Sequence, residues 1–362
     1  MLFRSTRFAL LAAAGLVVAA GSVRAESPLA SLKTGTPELK SAGPLAFGPQ
    51  GILFVGDPQA AAIYAIDTGD NKASSSTEKP KVAGIDEKIG SLLGIEAKQL
   101  RVADLAVNPI SGNTYLSVAR GKGPDAAAVI VRVDRGGKAS QFELKGVKFA
   151  KAELSNSSEG NKRQEAITQM AYAKGTLYVA GLSNEEFASK LRAITFPFST
   201  TDKGTSIEIY HGAHGKIETA SPIRTFVTYD IKGEVNLLAA YTCTPLVRIP
   251  ASQLKPGQKV KGTTIAELGN GNRPLDMIVY NKGGKDYILM ANSKHGVIKI
   301  PAEGIGEAEG IKEAKVSGKA GVGYETIASL KGVVQLDRFD KDNAILLIQT
   351  NSGLNLETIE LP

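Results

Sequence analysis

Apolar and polar positions along this chain recur in short units. An apolar run of five to eight residues rich in Val, Ile, Tyr and Thr leads into a turn containing Gly or Asn, then a second apolar run, a loop and a third run. Runs of that length, bounded by Gly, Asn, Asp and Pro, are the pattern of strands joined by tight turns. The unit occupies residues 43–67 (GPLAFGPQGILFVGDPQAAAIYAID), 102–134, 166–196, 223–250, 273–301 and 333–361. With Leu45, Leu105, Met170, Thr225, Met277 and Leu336 taken as equivalent, successive units lie 60, 65, 55, 52 and 59 residues apart.

This spacing predicts an all-β chain folded as a β-propeller of six blades, each of four antiparallel strands, or of seven if residues 197–222 hold a degenerate unit. One small sheet cannot cover both of its faces, so the blades must pack on one another around a closed ring. Only 26 residues follow Leu336, enough for three strands of the last blade and not four. Part of residues 29–40 is therefore expected to supply the missing outer strand, so that an N-terminal strand closes the ring and hides an edge. Apolar residues at 85, 89, 92, 93, 95 and 100 predict a short helix between the first two units.

Residues 1–25 break the pattern. Arg4 and Arg7 precede an apolar stretch from Ala9 to Gly21, and Val23-Arg24-Ala25 forms a small-x-small site. That order is the order of an export signal cut after Ala25. The apolar run is shorter than the roughly 20 residues of a membrane span. The expectation is a secreted or periplasmic, soluble chain with no stable membrane anchor after cleavage, residues 26–362 forming a single domain.

Composition narrows the function classes. The chain has 362 residues, 43% hydrophobic and 22% charged, which suits a folded domain. A single Cys excludes an internal disulfide. The formal charge of +7 falls to +4 once Arg4, Arg7 and Arg24 are removed, and the remaining basic residues are scattered. No basic stripe is present, so nucleic acid is not an expected partner. There is no Trp to build a sugar-stacking platform and no G-x-S-x-G elbow for a serine nucleophile.

The phrase LAFGPQGILFVGD…IYAID and its relatives resemble the NHL-repeat and gluconolactonase-like propeller superfamily. The resemblance covers most of residues 43–361 and implies a six-bladed ring. In the lactonase branch it implies a divalent metal held by a Glu at the opening of the first inner strand and by Asn and Asp of later blades. This chain has Pro44-Leu45 at that opening.

Two sets of residues could carry chemistry. Immediately before the equivalent apolar positions stand Pro44, Asp104, Gln169, Arg224, Asp276 and Gln335, the last five a polar set at the channel mouth suited to a cation such as calcium or to a small polar ligand. The second set is His211 and His214 in YHGAHGK, Cys243 in AYTCTP and His295 in NSKHGV. Cys243 and His295 hold the same place in their units, between second and third strands, and all four should open on one face. Imidazole and thiolate suit copper or zinc. Met277 and Met290 fall on strands and read as core. Three functions follow: a binding module for a small polar ligand or a protein partner, a metal-dependent hydrolase or lactonase using Asp104 and Asp276, and a copper- or zinc-binding redox accessory protein.

Overall fold

A computed structural model describes residues 27–199, 203–312 and 315–362; the export segment expected over residues 1–25 lies outside them. Each repeat unit forms a meander whose first strand lines a central channel. These channel strands are Leu45–Phe47, Leu100–Val107, Gln169–Ala173, Ile223–Ile231, Pro274–Lys282 and Val333–Arg338. Their hairpin partners follow antiparallel, as in Leu45↔Val55 and Met277↔Met290. The turn of the first blade runs through Gln50 and Gly51 at positive φ, and a Cβ on Gly51 would stand 2.7 Å from the Asp70 carbonyl oxygen, so glycine is required there.

Four channel strands carry an extra residue. Register slips between Val102 and Asp104, Ile223 and Thr225, Pro274 and Asp276, and Val333 and Gln335. Each bulge turns the following residue toward the channel and the next one into the core. Leu105, Phe226, Met277 and Leu336 are buried in this way, beside Leu45 and Met170. The core equivalent in the fourth blade is therefore Phe226 and not Thr225. Thr225 takes the polar channel position, and Arg224 is the bulged residue.

Six hydrophobic clusters, one per seam between neighbouring blades, give the order of blades around the ring. Leu53, Val55 and Tyr64 of the first blade pack on Ala106, Tyr115 and Ile130 of the second. On its other face the first blade meets the third, through Phe54, Ile167, Met170 and Phe196. The third meets the fourth, the fourth the fifth, and the fifth the sixth. The sixth closes on the second, where Ile345, Leu347 and Leu356 pack on Leu105, Leu116 and Val131. The spatial order is thus second, first, third, fourth, fifth, sixth.

This order explains two strands that the repeat did not place. After its third strand the chain leaves the first blade to build the second. It returns as Val147–Glu153, which pairs with Ala62–Ile66 and becomes the first blade's fourth strand. Lys33–Gly35 adds outside it, paired with Val147–Phe149. The N-terminal strand therefore lies on the first blade. The last blade is completed by Lys81–Val82, paired with Leu356 and Glu357, because the linker to the second blade runs along that edge. Among the described residues of 197–222 there is no seventh blade: Thr205–His211 is the fourth strand of the third blade and turns back as Lys216–Glu218.

The linker continues as the helix Ile85–Leu93, shorter than the apolar spacing predicts because Gly94, at φ 69°, caps it. Asp86 and Glu87 lie in its first turn, where the helix dipole favours negative charge. Ile85, Ile89 and Leu93 enter the seam between sixth and second blades, while Leu92 stays 43% exposed. Among the described residues no helix is long and apolar enough to cross a membrane.

If this helix seals the ring, Ile89→Ala costs about 2–5 kcal/mol of unfolding free energy in urea, and Leu92→Ala no more than about 0.5. Equal losses would contradict the sealing role.

Candidate functional site

The polar channel residues bind the ring to itself. Asp104 of the second blade accepts the Leu45 N–H of the first at 2.7 Å, and Asp276 of the fifth accepts the Leu336 N–H of the sixth at 2.9 Å. Asp337 of the sixth accepts the Val107 N–H of the second at 2.7 Å, and Gln335 donates to the Ala103 carbonyl at 3.2 Å. Gln169 donates to Thr225 at 3.3 Å and accepts its own neighbour's N–H, from Met170, at 2.8 Å. Each of these side chains spans a seam where two channel strands diverge and cannot pair backbone to backbone.

The carboxyl groups respond to this enclosure. Burial pushes Asp104 up to about 7 and Asp337 up to about 6, against the pull of their backbone N–H donors. Asp276 is raised well above the carboxylate range by burial and then by the charge of Asp104. The channel between them is a cavity of about 550 Å³.

The histidines and the cysteine meet at a different place, over the seam between third and fourth blades. The hairpin of Thr205–His211 and Lys216–Glu218 turns through Gly212-Ala213-His214-Gly215, with both His214 and Gly215 donating to the His211 carbonyl. This turn brings the imidazoles of His211 and His214 together, with ring centroids 3.8 Å apart and planes tilted by 37°. Cys243 opens the third strand of the fourth blade at φ 83°, a region costly for any residue with a Cβ, at a bulge opposite Asn272. One ring nitrogen from each histidine and the Cys243 Sγ all lie within 4.8 Å of one another.

Two carboxylates hold this arrangement. Glu218 meets Nδ1 of His211 at 3.1 Å and Nδ1 of His214 at 2.6 Å, one oxygen to each ring. Burial works to raise Glu218, but hydrogen bonds from His214, Ser221 and His211 outweigh it and hold the carboxyl at about 2. An ionised carboxylate only accepts, so the His214 ring, in hydrogen-bond contact with Glu218 through Nδ1, carries its proton there. Burial lowers the His211 pKa despite Glu218, which favours the neutral ring that ligates metals. Glu267 accepts the Gly212 N–H at 2.5 Å and fixes the turn from below; burial raises its carboxyl to about 7.

His295 stands apart from this group. It occupies the place equivalent to Cys243 in the fifth blade, between Lys285–Asn292 and Gly296–Pro301, with its ring 3.4 Å from the Gly269 carbonyl. It lines a separate cavity, beside Leu330 and Gly332. Met277 and Met290 are core. Sequence reasoning missed Glu218, Glu267, Asp337 and Thr225. An acid alone within the apolar strand TTIAELGNGN was the available signal for Glu267, and the HGAHGKIE spacing across a tight turn was the signal for Glu218.

The three channel carboxyls keep their protons to higher pH in the folded chain than in the unfolded one, where about 4 is ordinary. Folding therefore takes up protons above that value, and stability falls as pH rises through the folded pKa values. The thermal midpoint is expected to drop between about pH 5 and about pH 8, and to drop less in Asp276→Asn. An equal drop in both proteins would contradict the assignment.

No protein-family model matches this chain, and no curated protein matches it. Among solved structures, the chain is similar to the PQQ-bound aldose sugar dehydrogenase of Streptomyces coelicolor, at 14% identity and a TM-score of 0.33 over 90% of this chain and 97% of that one. It is similar also to a streptogramin B lyase, at 8% identity and a TM-score of 0.38 over 91% and 97% of the two chains. These likenesses are of fold alone, and the six-bladed ring itself is read from the strand pairing and the six seams.

Proposed function

We propose that this protein is an exported metal-binding propeller whose His211, His214 and Cys243 hold one copper or zinc ion for redox or metal handling. The observation that carries the reading is the approach of three ligand atoms to within 4.8 Å, on two separate elements from different blades. Two imidazoles and one thiolate form a donor set that suits copper first and zinc second, since soft sulfur excludes calcium and magnesium as preferred ions. Glu218 supplies the carboxylate behind the histidines that orients ligating rings and raises their basicity. Three protein ligands leave a coordination position for an incoming molecule, and His214, 45% exposed, puts the centre at the surface.

The binding-module reading is absorbed here, with the ion as the ligand bound. A hard-cation lactonase site on Asp104 and Asp276 is supported less well, because both carboxylates already accept backbone N–H groups across seams. His295 takes no part in the proposed centre.

Elemental analysis of residues 26–362, produced without a histidine tag and supplied with copper and zinc in turn, tests the proposal. Roughly one ion per chain is expected, lost in His211→Ala and in Cys243→Ser and kept in Asp276→Asn. With copper(II), a strong thiolate-to-metal absorption is expected that Cys243→Ser abolishes. Calcium retained in all variants, or metal unaffected by both ligand changes, would overturn the reading.

A further inference from the structure

Beside the histidine and cysteine group, the bulges of the channel strands open a second feature. A cavity of about 710 Å³ lies at the channel mouth, lined by Pro44, Ala103, Thr168, Glu165 and three arginines, Arg101, Arg224 and Arg273. One carboxylate therefore faces three guanidinium groups. We infer that this mouth is an anion-binding pocket, in which Arg224, Arg273 and Arg101 grip the carboxylate or phosphate group of a small ligand.

Four observations support it. Arg224 is the bulged residue of its strand, which turns its side chain out of the sheet and into the mouth; its Nε donates to Thr242 at 2.7 Å and its Nη1 to Glu165 at 2.7 Å. The guanidinium is thus held rigid on two sides, and the Glu165 contact shows that a carboxylate fits against it. Arg101 and Arg273 form no side-chain hydrogen bond or ion pair among the described residues, so their donors are available. Although Arg273 reaches the surface, crowding by protein and then the charge of Arg224 hold it below the usual arginine range. Like charges brought this close are relieved when an anion enters between them. Guanidinium groups present paired N–H donors that match the two oxygens of a carboxylate or phosphate, and the low-dielectric walls of a cleft strengthen the attraction.

The pocket and the proposed metal centre draw on neighbouring residues of the same strands. Thr242, which anchors Arg224, precedes Cys243, and Arg273 follows Asn272, the cross-strand partner of Cys243. The inference needs no metal to hold.

The test is calorimetric titration of the mature chain with inorganic phosphate and, separately, with succinate at low ionic strength. Binding of at least one probe is expected; a preference for phosphate marks a phosphorylated ligand, and a preference for succinate marks a carboxylate one. Arg273→Ala should weaken binding about ten-fold or more, since it removes a charge-assisted pair, and Glu165→Gln should strengthen it by removing the competing carboxylate. His211→Ala should leave anion affinity unchanged. Failure of both probes to bind, unchanged affinity in Arg273→Ala, or loss of affinity in His211→Ala would overturn the inference, the last by moving the anion onto the ion. Because His211→Ala empties the metal centre alone, failure here and failure of the metal reading are told apart.

Discussion

Each blade is a sheet with two apolar faces, and neither face can be left to water. Every seam of the ring must therefore be filled, including the one at which the ring closes. In this propeller that seam joins the sixth blade to the second, and the linker between the first two blades fills it with Val82, Ile85, Ile89 and Leu93. The rest of the architecture follows from the order this imposes. The chain steps from first blade to second in one direction, then doubles back across the first blade's outer edge to build the third on the far side. Two strands far apart in sequence, Lys81–Val82 and Val147–Glu153, are recruited to complete blades that lack a fourth strand.

Closing six seams around a channel leaves the channel strands splayed, with backbone groups that no neighbouring strand reaches. Buried polar groups of that kind need partners. Asp104, Asp276, Asp337, Gln169 and Gln335 answer the need by spanning from one blade to the next. The channel polarity is in this sense a property of the ring. The candidate ligand groups gather instead where the blades are irregular. The turn at Gly212-Ala213, the positive φ of Cys243 and the bulge at Arg224 all lie around the third and fourth blades. Glu267 holds the turn through the Gly212 N–H, and Glu218 meets both imidazoles at Nδ1.

Much of this was legible in the sequence because it depends on local pattern. Strand periodicity located all six units and the channel strands. Repeat alignment placed Cys243 and His295 between the second and third strands of their blades, and of the four residues it expected on one face His211, His214 and Cys243 come together. What the sequence did not show was non-local or offset by one residue. Blade order depends on which apolar faces match across a seam, and nothing in the run from 68 to 100 announces that it will pass the sixth blade. A bulge adds one residue without changing composition, so Thr225 stood where Phe226 belongs. His295 diverged from Cys243 because its turn faces Gly269 of the preceding blade, away from the hairpin that carries His211. Glu218 was missed because its role exists only once a turn folds it back on two rings.

The proposed centre requires one sulfur and two imidazole nitrogens to share an ion. X-ray absorption at the metal edge of the zinc-loaded chain measures this directly. The expected first shell holds one sulfur at about 2.3 Å and two nitrogens at about 2.0–2.1 Å, with outer-shell scattering from imidazole rings. A shell of oxygen and nitrogen alone, with no sulfur, would contradict the centre described here.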